Sequence, residues 1–84
     1  MNKYKNLTAN ALVKTGAGVL VGMYVSSTTN GTIKLWDNTS AATKVIYDTI
    51  TPAVGYHPLG DVSFDTGLYV TIAGDALDVT LIYR

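Results

Sequence analysis

The stretch that decides the fold is Val19–Asp37, which reads VLVGMYVSSTTNGTIKLWD. Two runs within it, Val19–Ser26 and Thr32–Asp37, are rich in β-branched and aromatic residues, which favour strands. Between them lies the dipeptide Asn30-Gly31, which tolerates the positive φ angles of a type I′ turn. The stretch therefore predicts two antiparallel strands joined as a hairpin.

Side-chain alternation along these two strands predicts which residues share a face. On the first strand, one face is predicted to hold Val19, Val21, Met23 and Val25, and the other to hold Leu20 and Tyr24. Because both faces are apolar, the strand is expected to be central or to meet a partner on its outer face. On the second strand, Ile33 and Leu35 are expected to face the core, so Trp36 faces outward beside Tyr24.

The rest of the chain is predicted to form further short strands separated by turns. All six acidic residues are Asp, and no window shows the periodicity of a helix. Including the two strands above, the predicted strands are Lys3–Leu7, Ala11–Lys14, Val19–Ser26, Thr32–Asp37, Lys44–Ile50, Asp61–Phe64, Leu68–Ala73 and Leu77–Tyr83. Thr51–Leu59 contains both prolines and is predicted to be a long loop that crosses between sheets.

About eight short strands within residues 1–84 indicate a single all-β domain. The best fit is a two-sheet antiparallel β-sandwich that is jelly-roll-like. An immunoglobulin-like sandwich is the alternative, although no Cys–Trp–Cys pattern supports the antibody type. Residues 1–10 are interpreted either as a mobile N-terminal arm that orders on binding or as the first edge strand.

Composition argues against several kinds of partner. The net charge is zero and Lys and Arg do not cluster, which disfavours nucleic-acid binding. No stretch approaches the ~18 apolar residues of a membrane span, so no membrane partner is expected. The N-terminus lacks the apolar run of a signal peptide. We therefore expect synthesis in a cytosol without standard export.

The length of the chain predicts that it depends on neighbouring subunits. For a domain of 84 residues, the free energy gained by apolar burial nearly cancels the entropy lost in ordering the chain. There is no Cys for a disulfide, and one His argues against a zinc site. Charged residues make up only 14% of the chain, against about 25% in ordinary soluble domains. Oligomerisation or docking on a larger assembly is therefore expected. The alternative is a monomer whose surface is rich in Thr, Ser and Asn.

Candidate catalytic and metal-binding groups are few. His57 is the only histidine, it lies between Tyr56 and Pro58, and the chain has no G-x-S-x-G elbow. Asp75 and Asp78 offer oxygen atoms to a calcium ion, but their spacing is not that of an EF-hand, and Asp is common in turns. We therefore expect no enzyme activity, no catalytic residue, no metal and no cofactor.

The aromatic residues are the strongest functional signal, because Tyr and Trp are enriched at protein interfaces. The residues predicted to form an assembly interface are Tyr24, Trp36, Tyr47, Val19, Val21, Val25, Lys3 and Tyr4. Two other interpretations of Trp36 stay open. It is either a platform on which a sugar stacks or a cap over a second face of the core.

Four stretches carry a resemblance to a known family. They are ALVKTGAG at Ala11–Gly18, GTIKLWDNTS at Gly31–Ser40, FDTGLYV at Phe64–Val70 and DVTLIY at Asp78–Tyr83. Together they resemble small β-sandwich accessory virion proteins of tailed bacteriophages, of the capsid decoration or cement type. The resemblance implies a location on the capsid surface, a homotrimer, and binding to the major capsid protein or another virion protein.

The function expected from this resemblance is that of a structural virion protein. A capsid decoration or cement protein binds the capsid exterior as a small homo-oligomer and stabilises it. The alternative is a carbohydrate- or receptor-binding module of a phage fibre or tail.

Overall fold

Eight strands account for most of the chain. A computed structural model describes all residues from Met1 to Arg84. The strands in chain order are β1 Lys3–Leu7, β2 Ala11–Thr15, β3 Gly18–Thr29, β4 Thr32–Trp36, β5 Val45–Ile50, β6 Gly55–Phe64, β7 Gly67–Ala73 and β8 Ala76–Tyr83. The prediction of an all-β chain with eight strands is confirmed. No helix has the length and hydropathy needed to cross a bilayer.

The strands form two antiparallel sheets of four. Sheet A has the order β1-β8-β3-β6, and sheet B has the order β2-β7-β4-β5. Strand β1 pairs with β8, β2 with β7, β3 with β6 and β4 with β5. The first strand thus pairs with the last, the second with the seventh, and so on inward to β4 and β5. Such nested pairing results when one long hairpin is wrapped into two sheets, and it defines a jelly roll. The predicted jelly-roll-like sandwich is confirmed, and the strand order excludes the immunoglobulin-like alternative.

The core lies between the sheets and contains no buried polar side chain. Burying an apolar side chain of this size contributes about 1.5–3 kcal/mol, so this layer holds the two sheets together. The core consists of fourteen residues: Leu7, Val13, Leu20, Met23, Val25, Ile33, Leu35, Leu59, Phe64, Leu68, Val70, Leu77, Val79 and Leu81.

A β-bulge in β3 changes which of its residues face the core. The register shifts just after Leu20, so Leu20 is buried on the same side as Met23 and Val25. Val19 lies on the opposite side from Leu20, and Val21 lies in the bulge, half-buried. The prediction that Val19 and Val21 share a face with Met23 and Val25 is wrong, because one extra residue reverses the alternation. Met23 and Val25 do share a face, which is the core face.

Asn30-Gly31 turns a corner between the sheets and does not close a hairpin. Strands β3 and β4 belong to different sheets, and only Asn30 of the pair has a positive φ, 51°. A β-carbon at Gly31 would lie 2.6 Å from the carbonyl oxygen of Ala76. The predicted hairpin is therefore wrong: the glycine is needed because the chain passes closely against β8.

The connection between β5 and β6 is shorter than the predicted loop Thr51–Leu59, because it spans only residues 51–54. Pro58 lies within β6, an edge strand of sheet A, where a residue without an N–H group is tolerated. Gly60 and Asp61 follow with positive φ angles of 83° and 53°. Together they form a bulge that bends β6. The other edge of sheet A is β1, which pairs with β8 along its whole length.

Candidate functional site: the outer faces of the two sheets

The outer surface of sheet A carries three exposed tyrosines. Tyr4, Tyr24 and Tyr56 are 76%, 47% and 51% exposed. They belong to two cross-strand rows that each span all four strands: Tyr4, Ile82, Gly22 and Pro58 form one row, and Asn6, Thr80, Tyr24 and Tyr56 form the other. We define the tyrosine face as Tyr4, Tyr24, Tyr56, Ile82 and Pro58.

Gly22 leaves the space that Tyr56 occupies. A β-carbon at Gly22 would lie 2.8 Å from Cζ of Tyr56 and 3.0 Å from the carbonyl oxygen of His57. The phenol ring on edge strand β6 therefore lies over the bare backbone of β3, as aromatic residues do beside strand glycines. Because the Tyr56 ring covers Gly22, the aromatic surface continues from β3 to β6.

Polar groups border the tyrosine face at both ends. At one end, Nδ2 of Asn6 donates to Oδ1 of Asp78 at 2.7 Å and to Oγ1 of Thr80 at 3.2 Å. At the other end, Nη2 of Arg84 lies 4.0 Å from Oδ1 of Asp61. An apolar centre with a polar margin is the usual anatomy of a protein–protein interface.

The outer surface of sheet B carries one apolar row. Leu12 lies opposite Tyr69, Tyr69 opposite Trp36, and Trp36 opposite Val45, so the row crosses all four strands. Leu12 and Val45, at its two ends, are 39% and 41% exposed. We define these four residues as the tryptophan face.

Trp36 is held in place by its neighbours on β4, β5 and β7. Its Nε1–H donates to Oγ1 of Thr71 at 3.2 Å. Nζ of Lys34 lies 4.5 Å from the centroid of the Trp36 ring and 3.4 Å from Oδ1 of Asp48. The backbone N–H of Thr49, followed by the Lys34 ammonium, holds the pKa of Asp48 below its ordinary value. Since Lys34 covers one face of the indole, this geometry argues against Trp36 as a sugar platform.

The structure separates residues that the sequence placed in one interface. Tyr24 and Trp36 lie on the outer surfaces of different sheets, so the prediction that they share a face is wrong. Tyr47 lies opposite the buried Leu35 and packs against the core, and its hydroxyl donates to the carbonyl oxygen of Leu59 at 2.8 Å. Val25 is 0% exposed and belongs to the core, so it offers no surface to a partner.

The remaining predicted interface residues lie on sheet A. Lys3 and Tyr4 are both exposed on β1, where alternation points them to opposite sides. Val19 and Val21 are half-buried on β3. Tyr56 was missed because it falls in the stretch predicted to be a loop. The side chains of Tyr56 and His57 point to opposite sides of β6, and such alternation is the sequence signal that could have placed Tyr56 on a strand.

One carboxylate ties the end of β4 to the turn between β6 and β7. Oδ1 of Asp37 accepts backbone hydrogen bonds from Thr66 at 2.9 Å, Asp65 at 3.0 Å and Gly67 at 3.4 Å. Burial tends to raise the pKa of Asp37, but these donors and the charge of Lys44 outweigh it and hold the pKa below the ordinary 3.8. The role of Asp37 is therefore to fix the turn.

Three other polar residues, Asp75, Asp78 and His57, are the remaining candidates named from the sequence. Asp75 and Asp78 line an open groove of about 320 Å³, and both carboxylates accept hydrogen bonds from asparagine amides. No three His or Asp side chains come together as a metal site requires. Nε2 of His57 lies 2.7 Å from the carbonyl oxygen of Ala53.

No protein family, curated protein or solved structure matches this chain significantly. The class that its geometry defines is a small jelly-roll sandwich with apolar side chains on the outer surface of both sheets.

Proposed function

We propose that this chain is a structural subunit that binds other protein subunits through the outer faces of its sandwich. The observation that carries the proposal is the tyrosine face, where three tyrosines on β1, β3 and β6 are between 47% and 76% exposed. The resemblance to phage accessory proteins favours a virion as the assembly. Within a virion, the proposed role is that of a capsid decoration or cement protein.

The tyrosine face is comparable in area to the largest apolar patch of a typical monomer. An aromatic side chain offers about 150–250 Å², so the exposed parts of the three tyrosines amount to on the order of 350 Å². The largest apolar patch on a typical monomer is about 300–600 Å² and is often functional. A partner that covers this surface adds burial that a small core lacks.

The sheet edges offer a poor alternative route of assembly, because each is interrupted or charged. In β6, Pro58 and the bulge at Gly60 and Asp61 interrupt the edge. In β1, Lys3 and Lys5 place charge along the edge. The register of both β2 and β5 shifts where they pair with their neighbours. Natural sheets use these devices to prevent edge-to-edge pairing, so we expect subunits to meet through their faces.

A decoration subunit stabilises a capsid by adding contact area between neighbouring capsid proteins. Covered apolar area contributes about 25 cal/mol per Å². A chain with two apolar outer faces is suited to this role, since one face can bind the capsid while the other meets a further subunit.

The test is a thermal melt of phage particles assembled with and without the chain. We expect the chain to sediment with the particles and to raise their melting temperature. Double variants that remove apolar area, Tyr4→Thr with Tyr24→Thr or Leu12→Thr with Val45→Thr, are expected to lower its occupancy on the particles. Ser40→Ala, in an exposed loop, is the control. Absence of the chain from particles, or equal melting with and without it, would overturn the proposal.

A carbohydrate- or receptor-binding module of a fibre or tail is the second candidate. The observation in its favour is that Tyr24 and Tyr56 lie in one row with the polar side chains of Asn6 and Thr80. Glycan binding that is lost in Tyr24→Ala and kept in Trp36→Ala would favour this candidate over an assembly role.

A further inference from the structure

We infer that the tyrosine face is covered by the tyrosine face of a second copy of this chain, so that two sandwiches stack as a twofold pair. This inference rests on the proposed function and names the partner of one of its two faces. Three properties of the molecule favour a second copy: the area of the face, its charges and its position opposite the tryptophan face.

The broad side of the molecule that carries the tyrosine face is wide enough for a standard interface. The Cα atoms extend over 31 × 28 × 17 Å, so the sandwich is a flat slab. Its broad side gives a footprint on the order of 800 Å², which equals the ~800 Å² per partner of a stable interface. A second slab of the same size covers the whole face.

The charges on the face suit self-association. Lys3 and Lys5 alternate with Tyr4 and point to the other side of β1. The charged groups that remain are Asp78 at one end of the face and Arg84, with its partner Asp61, at the other.

Stacking with the strands of the two copies in opposite directions keeps the unpaired carboxylate of one Asp78 away from that of the other and places it near a guanidinium group. Asp78 and Arg84 lie on one strand line, because Arg84 continues β8 through backbone hydrogen bonds with Val19. Asp78 and Arg84 are six positions apart along the strand, which corresponds to about 20 Å. In the antiparallel stack, Asp78 of each copy therefore lies towards the Arg84–Asp61 pair of the other, and the two Asp78 carboxylates stay apart.

The opposite positions of the two apolar faces favour a pair over a ring of three. The tyrosine face and the tryptophan face lie on the two broad sides of the slab, on sheets A and B. Contacts between unlike, opposite faces propagate as an open stack, whereas a face that meets its own copy closes at two. The pair leaves both tryptophan faces free for the rest of the assembly.

Sedimentation velocity across micromolar concentrations tests the inference. We expect the wild-type chain to reach twice its mass of 8.9 kDa at the upper concentrations. Tyr24→Thr is expected to weaken the pair about tenfold or more, because central aromatic residues dominate interface energies. Tyr4→Thr is expected to weaken it less, because Tyr4 lies on the edge strand β1. Val45→Thr, on the tryptophan face, is the matched control and should leave dissociation unchanged. Circular dichroism melts establish that each variant is folded.

Three results would overturn the inference: a monomer at every concentration, a trimer such as the resemblance implies, or a dimer weakened by Val45→Thr and not by either tyrosine variant. If the chain is a monomer that still binds particles, only this inference is wrong. If the chain forms the pair but is absent from particles, only the proposed function is wrong.

Discussion

The phenol ring of Tyr56 lies over Gly22, and a β-carbon on the glycine would come within 2.8 Å of Cζ of Tyr56. The two residues are on neighbouring strands, β6 and β3, of which only β6 is at the edge of sheet A. Because Gly22 has no side chain, the Tyr56 ring extends the aromatic outer surface of sheet A from β3 to the edge strand β6. This surface is built into the fold and is the basis of the proposed assembly role.

Gly22→Ala is expected to lift the Tyr56 ring off β3 and to lower the free energy of unfolding by about 1 kcal/mol. The reason is steric, since the new methyl group takes the place of the ring. In a Tyr56→Thr background the same substitution should be less costly, because the ring is gone. A double-mutant cycle by urea denaturation measures this coupling, and equal effects in both backgrounds would contradict the contact.

Val25→Ala and Val21→Ala test the bulge in β3. Val25 is fully buried and Val21 is half-buried, so the first substitution should cost about 2 kcal/mol and the second less than about 1 kcal/mol. Chemical denaturation of the two variants compares them directly. Equal losses would show that the alternation runs through β3 without reversal.

Gly31→Ala is expected to destabilise the fold by about 3 kcal/mol, because the carbonyl oxygen of Ala76 leaves no space for a methyl group. Gly16→Ala is the matched control. It has a φ of +88° and nothing within 4 Å, so its loss should be only the backbone strain of about 1 kcal/mol. Thermal melts rank the two variants, and a larger loss at Gly16 would contradict the close crossing at β8.

Asp37→Asn is expected to lower stability by about 1–2 kcal/mol at neutral pH, because the turn loses a charged acceptor. The folded pKa of Asp37 lies below its ordinary value of 3.8, so its contribution is present above that pH and is lost as the pH falls through the folded pKa. The gap between wild type and variant should therefore close in acid.

Urea midpoints from neutral pH down to acid check this dependence. Asp65→Asn, in the same turn, is the control, since hydrogen bonds at Asp65 involve its backbone N–H. A wild-type advantage over Asp37→Asn that is constant with pH would argue against an ionised cap.

Lys34→Gln is expected to make Trp36 more accessible to acrylamide, because the ammonium group no longer lies over the ring. The lost cation–π contact should lower stability by about 0.5–1 kcal/mol. Trp36 is the only tryptophan, so its fluorescence quenching reports this site alone. Lys5→Gln, on sheet A, is the control, and identical quenching in all three proteins would contradict the contact.

The sequence predicted the number and approximate positions of the strands, because β-branched runs alternate with turn residues along the whole chain. It also predicted the sandwich class. Pro58 obscured the start of β6, since a proline argues against a strand unless that strand lies at an edge. Edge position is a property of the whole sheet and is not visible in a local stretch of sequence.

The candidate site was predicted less well, for two physical reasons. Asn30-Gly31 has the composition of a hairpin turn, yet it crosses between sheets, and this separates Tyr24 from Trp36. The bulge after Leu20 then puts Val19 and Val25 on opposite sides of sheet A. Both features depend on long-range pairing with β8 and β6, which local alternation does not encode.

Tyrosine labelling at low and high protein concentration tests most directly whether the tyrosine face is a binding surface. Nitration mapped by mass spectrometry should reach Tyr4, Tyr24 and Tyr56 in dilute solution and decline at all three as concentration rises. Tyr69, on the opposite sheet, should keep its reactivity. If the three tyrosines stay equally reactive at every concentration, in the free chain and on particles alike, the face is not covered and the central claim is wrong.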